Sequence, residues 1–291
     1  MKRRSFLSMI VPAAVFISGC GYKPFYFIQI ADTQIGMIAG GKDGNEFSKE
    51  TEMIETVIKQ INHMKPRPAF VVVCGDFTNL PAHEKQIAEY KRLMGQLHRS
   101  IPCYNVSGNH DFLGDPPPSH EGIARYREIY GPDWYTFYES GWKFMVMNST
   151  LMKTPESVKE DEKAQLIWME SELSEKSKKN RNGTVVFMHH PFFDNHIDEE
   201  DGYHAIPQSR RRGYLDDFVK GNVKAVFSGH RHTTIPERAY ENVRLINTNA
   251  LCNSFDDKPG LRIVKLYEGS LEHEFYRYDE LPEKVEFGRQ T

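Results

Sequence analysis

Short apolar runs alternate with longer amphipathic stretches along most of this chain. Buried strands are predicted over residues 25–31, 69–74, 101–106, 142–147, 184–188 and 223–227, and a closing pair over 261–267 and 271–278. Amphipathic helices are predicted between them, over 48–64, 86–98, 163–177 and 209–220. This alternation indicates an α/β fold, and at 291 residues the chain is long enough to bury one large core.

Five of the apolar runs are followed at once by side chains able to bind a metal ion. In chain order these are Asp32, Asp76, the group Asn109, His110 and Asp111, the pair His189 and His190, and the pair His230 and His232. One such residue after a strand is usually a cap or a satisfied polar group. Five in succession, three of them with a glycine that lets backbone approach closely, favour one shared site. The carboxyl ends of strands in an open sheet converge on one crevice, so these groups are expected to meet.

The mixture of oxygen and nitrogen ligands narrows the choice of metal. Imidazole with carboxylate and carboxamide suits Zn, Fe, Mn or Ni, and disfavours both a cysteine-rich zinc site and an all-oxygen Ca or Mg site. The number of ligands indicates two divalent transition metal ions rather than one. Such a pair suits phosphoester hydrolysis, because it generates hydroxide at neutral pH and stabilises charge on the phosphoryl oxygens.

The five blocks resemble the calcineurin-like metallophosphoesterase superfamily, whose pattern is Asp-x-His, Gly-Asp, Gly-Asn-His-Asp or Glu, a later His, and Gly-His-x-His. The resemblance implies a four-layer α-β-β-α sandwich of two mixed sheets, with the dimetal site at the carboxyl ends of the strands. It implies one ion held by Asp32, Asp76 and His232, and a second held by Asp76, Asn109, His189 and His230, with Asp76 bridging. It also implies that His110 acts on the leaving-group oxygen as hydrogen-bond donor or general acid, oriented by Asp111. His190 is expected behind the ligands rather than among them.

The first block departs from this pattern, because Gln34 stands where most of the superfamily has His. A glutamine offers at best a carbonyl oxygen, which puts the first ion in question. A narrower, single-domain branch that includes a eukaryotic serine/threonine protein phosphatase also carries Gln there. This chain is similar to that branch in its Cys-Gly-Asp at 74–76 and its Ser-Gly-Asn-His-Asp at 107–111. Gln34 is therefore interpreted as a trait of the branch and kept as a candidate metal ligand.

Residues that meet the substrate are less well marked in the sequence. Phe192 follows the histidine pair after Pro191, while Tyr203 and Arg210 lie in the insertion before the next strand, and Arg231 lies inside the last block. An arginine there can bind a phosphate with two parallel hydrogen bonds. The alternative for any single arginine is a solvated charge at the start of a helix.

The first twenty residues have the layout of a bacterial lipoprotein signal. Lys2, Arg3 and Arg4 precede an apolar run over 6–17, and Ser18 and Gly19 precede Cys20. We expect a signal peptide over 1–19, lipidation of Cys20, a tether over 20–24 and one phosphoesterase domain over 25–291. The mature protein is then exported and anchored by lipid to the cell envelope, in the periplasm or at the cell surface. Paired arginines leave both the general secretory and the twin-arginine route open.

Net charge bears on the expected partners. The chain carries a net charge of −3, and removal of the leader takes away three basic residues, so no basic field for nucleic acid remains. We expect a monomer that meets the membrane through its lipid anchor only.

The predicted activity is hydrolysis of a phosphorylated substrate, either a phosphomonoester or a phosphodiester, by attack of a metal-bound hydroxide; one form of this is a protein phosphatase. The alternatives are a nucleotide or cyclic-nucleotide phosphodiesterase, and a non-catalytic exported binding module. The presence of His110 and Asp111, which a metal binder does not need, argues against the latter.

Overall fold

The computed structural model describes residues 22–38, 43–112, 118–174 and 180–288. Eleven strands form in this part of the chain: β1 (Phe25–Ile30), β2 (Val71–Cys74), β3 (Cys103–Val106), β4 (Tyr135–Glu139), β5 (Trp142–Val146), β6 (Gly183–Phe187), β7 (Val223–Ser228), β8 (Arg238–Tyr240), β9 (Val243–Asn247), β10 (Gly260–Leu266) and β11 (Leu271–Arg277). The helices are α1 (Ser48–His63), α2 (Glu84–Met94), α3 (His120–Tyr130), α4 (Ser149–Lys153), α5 (Lys159–Ser174) and α6 (Gln208–Lys220). No helix in the described ranges is long and apolar enough to span a bilayer. The predicted signal peptide and Cys20 lie outside the described residues.

The strands form two mixed sheets. The first has the order β11-β10-β1-β2-β3, and the second has the order β4-β5-β6-β7-β9-β8. Strands β1, β2 and β3 are mutually parallel, as are β5, β6, β7 and β9, while antiparallel strands complete both sheets. In each sheet the parallel strands therefore end at one common edge.

The two sheets pack face to face through an aromatic layer. The ring of Phe27 on β1 lies 4.7 Å from that of Phe70 and 5.4 Å from that of Phe187 on β6, measured between centroids. Side chains of both sheets form this central cluster, and separate apolar clusters cover the outer faces beneath the helices. Stacking of offset and edge-on rings adds to the area that they bury. The predicted four-layer sandwich of two mixed sheets is confirmed.

The structure contains elements that the apolar pattern did not predict, namely α3, α4, β4, β8 and β9. The strand β4 has only partly buried residues, and β8 is a three-residue edge strand, so neither has a strong apolar run. Helix α2 begins at Glu84 rather than 86, because the His83 side chain caps it by accepting a hydrogen bond from the Gln86 backbone N–H. Such differences move the ends of elements without moving the edge at which the strands end.

Candidate metal centre

The predicted ligands lie together at the carboxyl ends of strands from both sheets. Asp32 and Gln34 follow β1, Asp76 follows β2, and a single 3-10 turn over Asn109–Asp111 follows β3. The second sheet contributes residues that follow β6 and β7, which are His189, His190, His230 and His232. All of these except Asn109 and His110 are buried.

The ring nitrogen Nε2 of His189 lies at the middle of the cluster. Asp76 Oδ2 is 3.2 Å from it, Asn109 Oδ1 is 3.1 Å away and His230 Nδ1 is 3.0 Å away. Asp32 Oδ1 lies 4.0 Å from the same nitrogen and 3.3 Å from Nε2 of His232. Six of the seven predicted ligands are thus linked by short distances between atoms that carry lone pairs.

Backbone groups fix which atoms of the ligands face inward. Nδ1 of His189 lies 2.9 Å from the carbonyl oxygen of Cys74, and Nδ1 of His232 lies 2.9 Å from that of Asn253. A carbonyl can only accept, so each Nδ1 carries a hydrogen and each Nε2 is the ring nitrogen that faces the cluster. Asp76 Oδ1 accepts a hydrogen bond from the His110 backbone N–H at 2.9 Å, which directs its second oxygen toward His189.

Two buried oxygens in this cluster have no hydrogen-bond partner among the described residues, Asp32 Oδ1 and Gln34 Oε1. Leaving a buried acceptor unpaired costs about 1–3 kcal/mol, and more for a charged group. The Gln34 backbone N–H donates to the Asp76 carbonyl at 2.8 Å, so this glutamine adjoins the bridging position. Unpaired oxygens beside two inward-facing imidazole nitrogens fit divalent cations, because a cation would satisfy every one of these lone pairs.

The backbone at these positions is strained. Asp32, Gln34, Asp76, His230 and His232 have φ of 52°, 33°, 52°, 73° and 50°, in the left-handed region that side chains other than glycine seldom adopt. Strain of this kind costs about 1–3 kcal/mol per residue and persists where the surroundings enforce it, typically at functional sites. Gly75 explains one motif position, because its φ is 84° and a Cβ there would lie 2.2 Å from His189 Nδ1.

Charge coupling inside the cluster shifts two pKa values in opposite directions. Burial disfavours the charged form of both Asp76 and His189, but their mutual attraction outweighs it. The pKa of Asp76 is lowered, and that of His189 is raised to about 9. Burial and the neighbouring His189 lower the pKa of His230 well below its usual value. Without an ion the cluster therefore stabilises a proton on His189, where a cation would otherwise neutralise Asp76.

The expected contact between Asp111 and His110 is not formed, which corrects that part of the prediction. The Asp111 carboxylate accepts hydrogen bonds from the backbone N–H groups of Asp76, Phe77 and Gly108, at 2.9, 2.8 and 2.8 Å. His110 Nδ1 instead lies 2.8 Å from the carbonyl oxygen of Asn79. Three backbone donors bind the Asp111 carboxylate, so Asp111 holds the loop that carries Asp76, while the Asn79 carbonyl orients His110.

His190 lies within reach of a metal cluster with His189 and His230. Its backbone N–H and that of His189 donate to the Ser149 hydroxyl oxygen, at 2.9 and 3.1 Å. With both lone pairs of that oxygen engaged, the Ser149 O–H donates to His190 Nδ1 at 2.9 Å. Burial and the charge of neighbouring groups lower the pKa of His190, so the neutral ring carries its hydrogen on Nε2. This tautomer has no lone pair to offer an ion and favours a position behind the ligands.

The four predicted substrate residues separate into two pairs. Phe192 is only 2% exposed and packs against Tyr214 and Phe218 of α6, so it belongs to the core, which overturns its predicted contact with substrate. Arg210 is paired with Glu162 of α5. Its guanidinium therefore serves helix packing rather than a phosphate.

Tyr203 lies beside the metal centre, and Arg231 adjoins it in sequence between His230 and His232. The Tyr203 ring is exposed, and its centroid lies 5.3 Å from that of His230. Arg231 is bound to Asp194 at 3.0 Å, on the loop that follows the histidine pair.

The structure adds site residues that the sequence did not indicate. Asn79, Leu80 and Phe112 line an open cavity of about 490 Å³ together with Asn109 and His110. Phe255 stacks on the His232 ring with centroids 4.9 Å apart and planes 22° apart. Aromatic residues in loops carry no motif of their own, and Asn79 acts through its backbone carbonyl, which any residue supplies.

The model of the calcineurin-like phosphoesterase family matches residues 25–234 of this chain. The chain belongs to this family. Human serine/threonine-protein phosphatase CPPED1 is 34% identical over 273 residues, which cover 90% of this chain and 86% of the human protein. The predicted family and its single-domain branch are thereby confirmed, and the chain is a phosphoric ester hydrolase.

Two solved structures share the fold. A dimetal phosphatase from Danio rerio has a TM-score of 0.63 at 16% identity, covering 87% of this chain and 96% of its own. Purple acid phosphatase PPD1 from yellow lupin has a TM-score of 0.62 at 13% identity, covering 89% of this chain and 52% of its own. Purple acid phosphatase 12 from Arabidopsis thaliana, whose name gives an Fe(3+)-Zn(2+) pair, is 23% identical over 190 residues, which cover 60% of this chain and 38% of that protein. The clustered ligands of this chain agree with the predicted pair of transition metal ions.

Proposed function

We propose that this hydrolase acts on phosphate monoesters and that phosphoproteins are its substrate class. The observation that carries the proposal is the inward-facing cluster around His189 Nε2, which meets an open cavity at Asn109 and His110. Human CPPED1, which covers nearly the whole chain, is named as a serine/threonine-protein phosphatase, and this name supports a protein substrate.

The clustered residues would bind two metal ions. Asp32, Asp76 and His232 would hold one ion, with Gln34 beside them, and Asp76, Asn109, His189 and His230 would hold the other. Bound divalent ions supply activation of a water molecule and neutralise charge on the phosphoryl oxygens. The carbonyls behind His189 and His232 fix the rings in the tautomer that binds.

His110 is the proton donor in this proposal. Its backbone N–H holds Asp76, while Asn79 accepts the hydrogen of its Nδ1 and leaves Nε2 as the ring nitrogen available at the cavity. A protonated His110 can therefore give its Nε2 hydrogen to the leaving-group oxygen. A general acid placed in this way contributes about 10²–10⁴-fold to the rate.

The test is turnover of an aryl phosphate monoester, the corresponding diester and a phosphopeptide by purified, metal-reconstituted protein. We expect monoester and phosphopeptide to be hydrolysed faster than the diester. His110→Asn should keep two ions per chain and lose rate, whereas Asp76→Asn should lose both ions and rate. Faster turnover of the diester would favour a phosphodiesterase, and no turnover with two ions bound would favour a binding module.

We further propose export and lipid anchoring at Cys20, on the basis of the leader sequence alone. Expressed in a bacterial host, the protein should partition with membranes and incorporate labelled palmitate, and Cys20→Ser should do neither. Release of both forms as soluble protein would contradict this proposal. Size-exclusion chromatography of the Cys20→Ser form tests the expected monomer.

A further inference from the structure

Exposed apolar side chains of the described residues concentrate around the metal centre. Four large ones are exposed: Leu80 at 38%, Ile167 at 58%, Tyr203 at 57% and Phe255 at 65%. Leu80 and Tyr203 line the cavity beside His110, and Phe255 stacks on His232. An apolar patch at the mouth of a polar site marks a surface that is covered when a ligand binds.

The cavity beside His110 is lined by apolar side chains and uncharged polar groups. Leu80, Pro81, Phe112 and Tyr203 form its apolar wall, and the polar groups are those of Asn79, Asn109 and His110. No lysine, arginine, aspartate or glutamate is present among these described lining residues. At about 490 Å³ the cavity has the size of a small-molecule site. None of these lining residues carries a charge that would pair with a second phosphate or an ionised sugar acid, whereas an uncharged apolar group could pack against Leu80, Phe112 and Tyr203.

The loop that carries Tyr203 is held in place by Lys153. Lys153 Nζ donates to the backbone carbonyls on either side, those of Gly202 and Ala205, at 3.1 and 2.9 Å. The same ammonium lies 6.0 Å from the centre of the Tyr203 ring. The His204 ring packs edge-on against the Tyr203 ring, with centroids 5.0 Å apart. A ring fixed in this way loses little freedom when a second ring packs against it.

We infer that this cavity binds the leaving group, and that the preferred substrate is the phosphate monoester of an uncharged aromatic alcohol. Phosphotyrosine is the protein-borne ester of this class. The inference rests on the proposed monoesterase function, because it places the organic part of the ester next to His110. It names Tyr203 and Leu80 as specificity-determining residues, which contact the leaving group and take no part in the proton transfer.

The test compares two substrates of similar leaving-group acidity and different apolar size, phenyl phosphate and 2-naphthyl phosphate. An additional ring-on-ring contact is worth about 2–10-fold, so wild-type protein should prefer the naphthyl ester in kcat/KM by about this factor. Tyr203→Ala and Leu80→Ala should bring the ratio toward one. Ile167→Ala removes an equally exposed side chain from α5, outside the cavity, and should leave the ratio unchanged.

Binding of 2-naphthol, followed by ligand-observed NMR, tests the cavity whether or not an ester is turned over. We expect binding to wild type and to Ile167→Ala, and about 2–10-fold weaker binding to Tyr203→Ala. Hydrolysis with equal rates for both esters and no naphthol binding would overturn this inference and leave the monoesterase proposal intact. Failure to hydrolyse any monoester with two ions bound would instead overturn the proposed function. Faster turnover of phosphoserine than phosphotyrosine in one peptide would also contradict the inference.

Discussion

Replacement of Gly108 by alanine should disable the metal centre through a steric clash with the carboxylate and the backbone nitrogen of Asp76. A Cβ at this position would lie 2.1 Å from Asp76 Oδ1 and 2.4 Å from the Asp76 backbone nitrogen. Real Cβ atoms essentially never come closer than 3.0 Å, so the carboxylate must retreat by about 1 Å. Gly108 has φ of −109° and ψ of 179°, an extended backbone open to any residue, so the change introduces no backbone strain.

The expected magnitude follows from what Asp76 loses. Its hydrogen bond from the His110 N–H, at 2.9 Å, would break. Loss of a hydrogen bond to a charged group destabilises the fold by about 1.5–3 kcal/mol, and overpacking destabilises it by about 1–3 kcal/mol. The lower conformational entropy of an unfolded chain with alanine stabilises the fold by about 0.4–1 kcal/mol. We expect Gly108→Ala to lower the free energy of unfolding by about 2–5 kcal/mol. Metal affinity should fall by at least the 10–100-fold seen when a group that orients a ligand is lost.

Urea unfolding of the metal-free protein and zinc titration measure the two effects separately. Gly213→Ala is the matched control, because Gly213 lies in α6 and an added Cβ meets nothing within 4 Å. It should stabilise the protein by about 0.5–1 kcal/mol through helix propensity and leave zinc affinity unchanged. If Gly108→Ala unfolded and bound zinc like wild type, Gly108 would not be what confines the Asp76 carboxylate.

Three further predictions concern the same centre. The charge of Asp76 raises the pKa of His189 to about 9, so zinc binding must release a proton from His189, and zinc affinity should rise from pH 6 to pH 8. Calorimetric heats of zinc binding that do not vary between buffers of different ionisation enthalpy would refute this. In Asp111→Asn the side-chain amide NH2 would face a backbone N–H that now donates to the carboxylate, so the free energy of unfolding should fall by about 2–4 kcal/mol. His110→Asn should instead mainly lower the rate, and equal denaturation curves for the two variants would contradict this difference. Gln34→His should tighten the weaker metal site by exchanging an amide oxygen for an imidazole nitrogen, and titration curves identical to wild type would mean that Gln34 faces away from the ions.

The sequence predicted the parts of the site that depend on strand ends and missed those that depend on backbone groups. Asp32, Asp76 and His189 could be brought together in advance because they directly follow apolar runs, and parallel strands end at one edge. Nothing in a sequence marks a carbonyl such as that of Cys74 or Asn79 as the group that fixes a histidine ring, since every residue has one. The family resemblance implied that Asp111 orients His110, and the structure shows the Asn79 carbonyl in that place.

The structure places two of the predicted substrate residues away from the site, Phe192 because it is buried and Arg210 because it forms an ion pair. Phe192 follows the histidine pair in sequence, but removing a phenylalanine side chain from water contributes about 1.5–3 kcal/mol, and α6 provides the apolar surface for it. Arg210 is paired with Glu162 on a neighbouring helix, a partner 48 residues away that helical spacing alone does not reveal. Proximity in sequence to a motif is thus a weaker guide than the competition for apolar surface and ion-pair partners.

The left-handed backbone of the ligand residues links the fold to the metal chemistry. Asp32, Gln34, Asp76, His230 and His232 all have positive φ, and a backbone in this region costs about 1–3 kcal/mol per residue. Part of this cost is offset inside the protein, for example by the His230 N–H that donates to Asp32 Oδ2 at 2.9 Å. That bond uses one oxygen of Asp32 and leaves the other, together with Gln34 Oε1, without a partner. An ion would satisfy both of these oxygens, and a ligand that binds the native state at a hundred times its dissociation constant adds about 2.7 kcal/mol of stability per site. We therefore expect the native fold to be more stable with metal bound than without it, because the ions would pair buried oxygens that have no partner among the described residues.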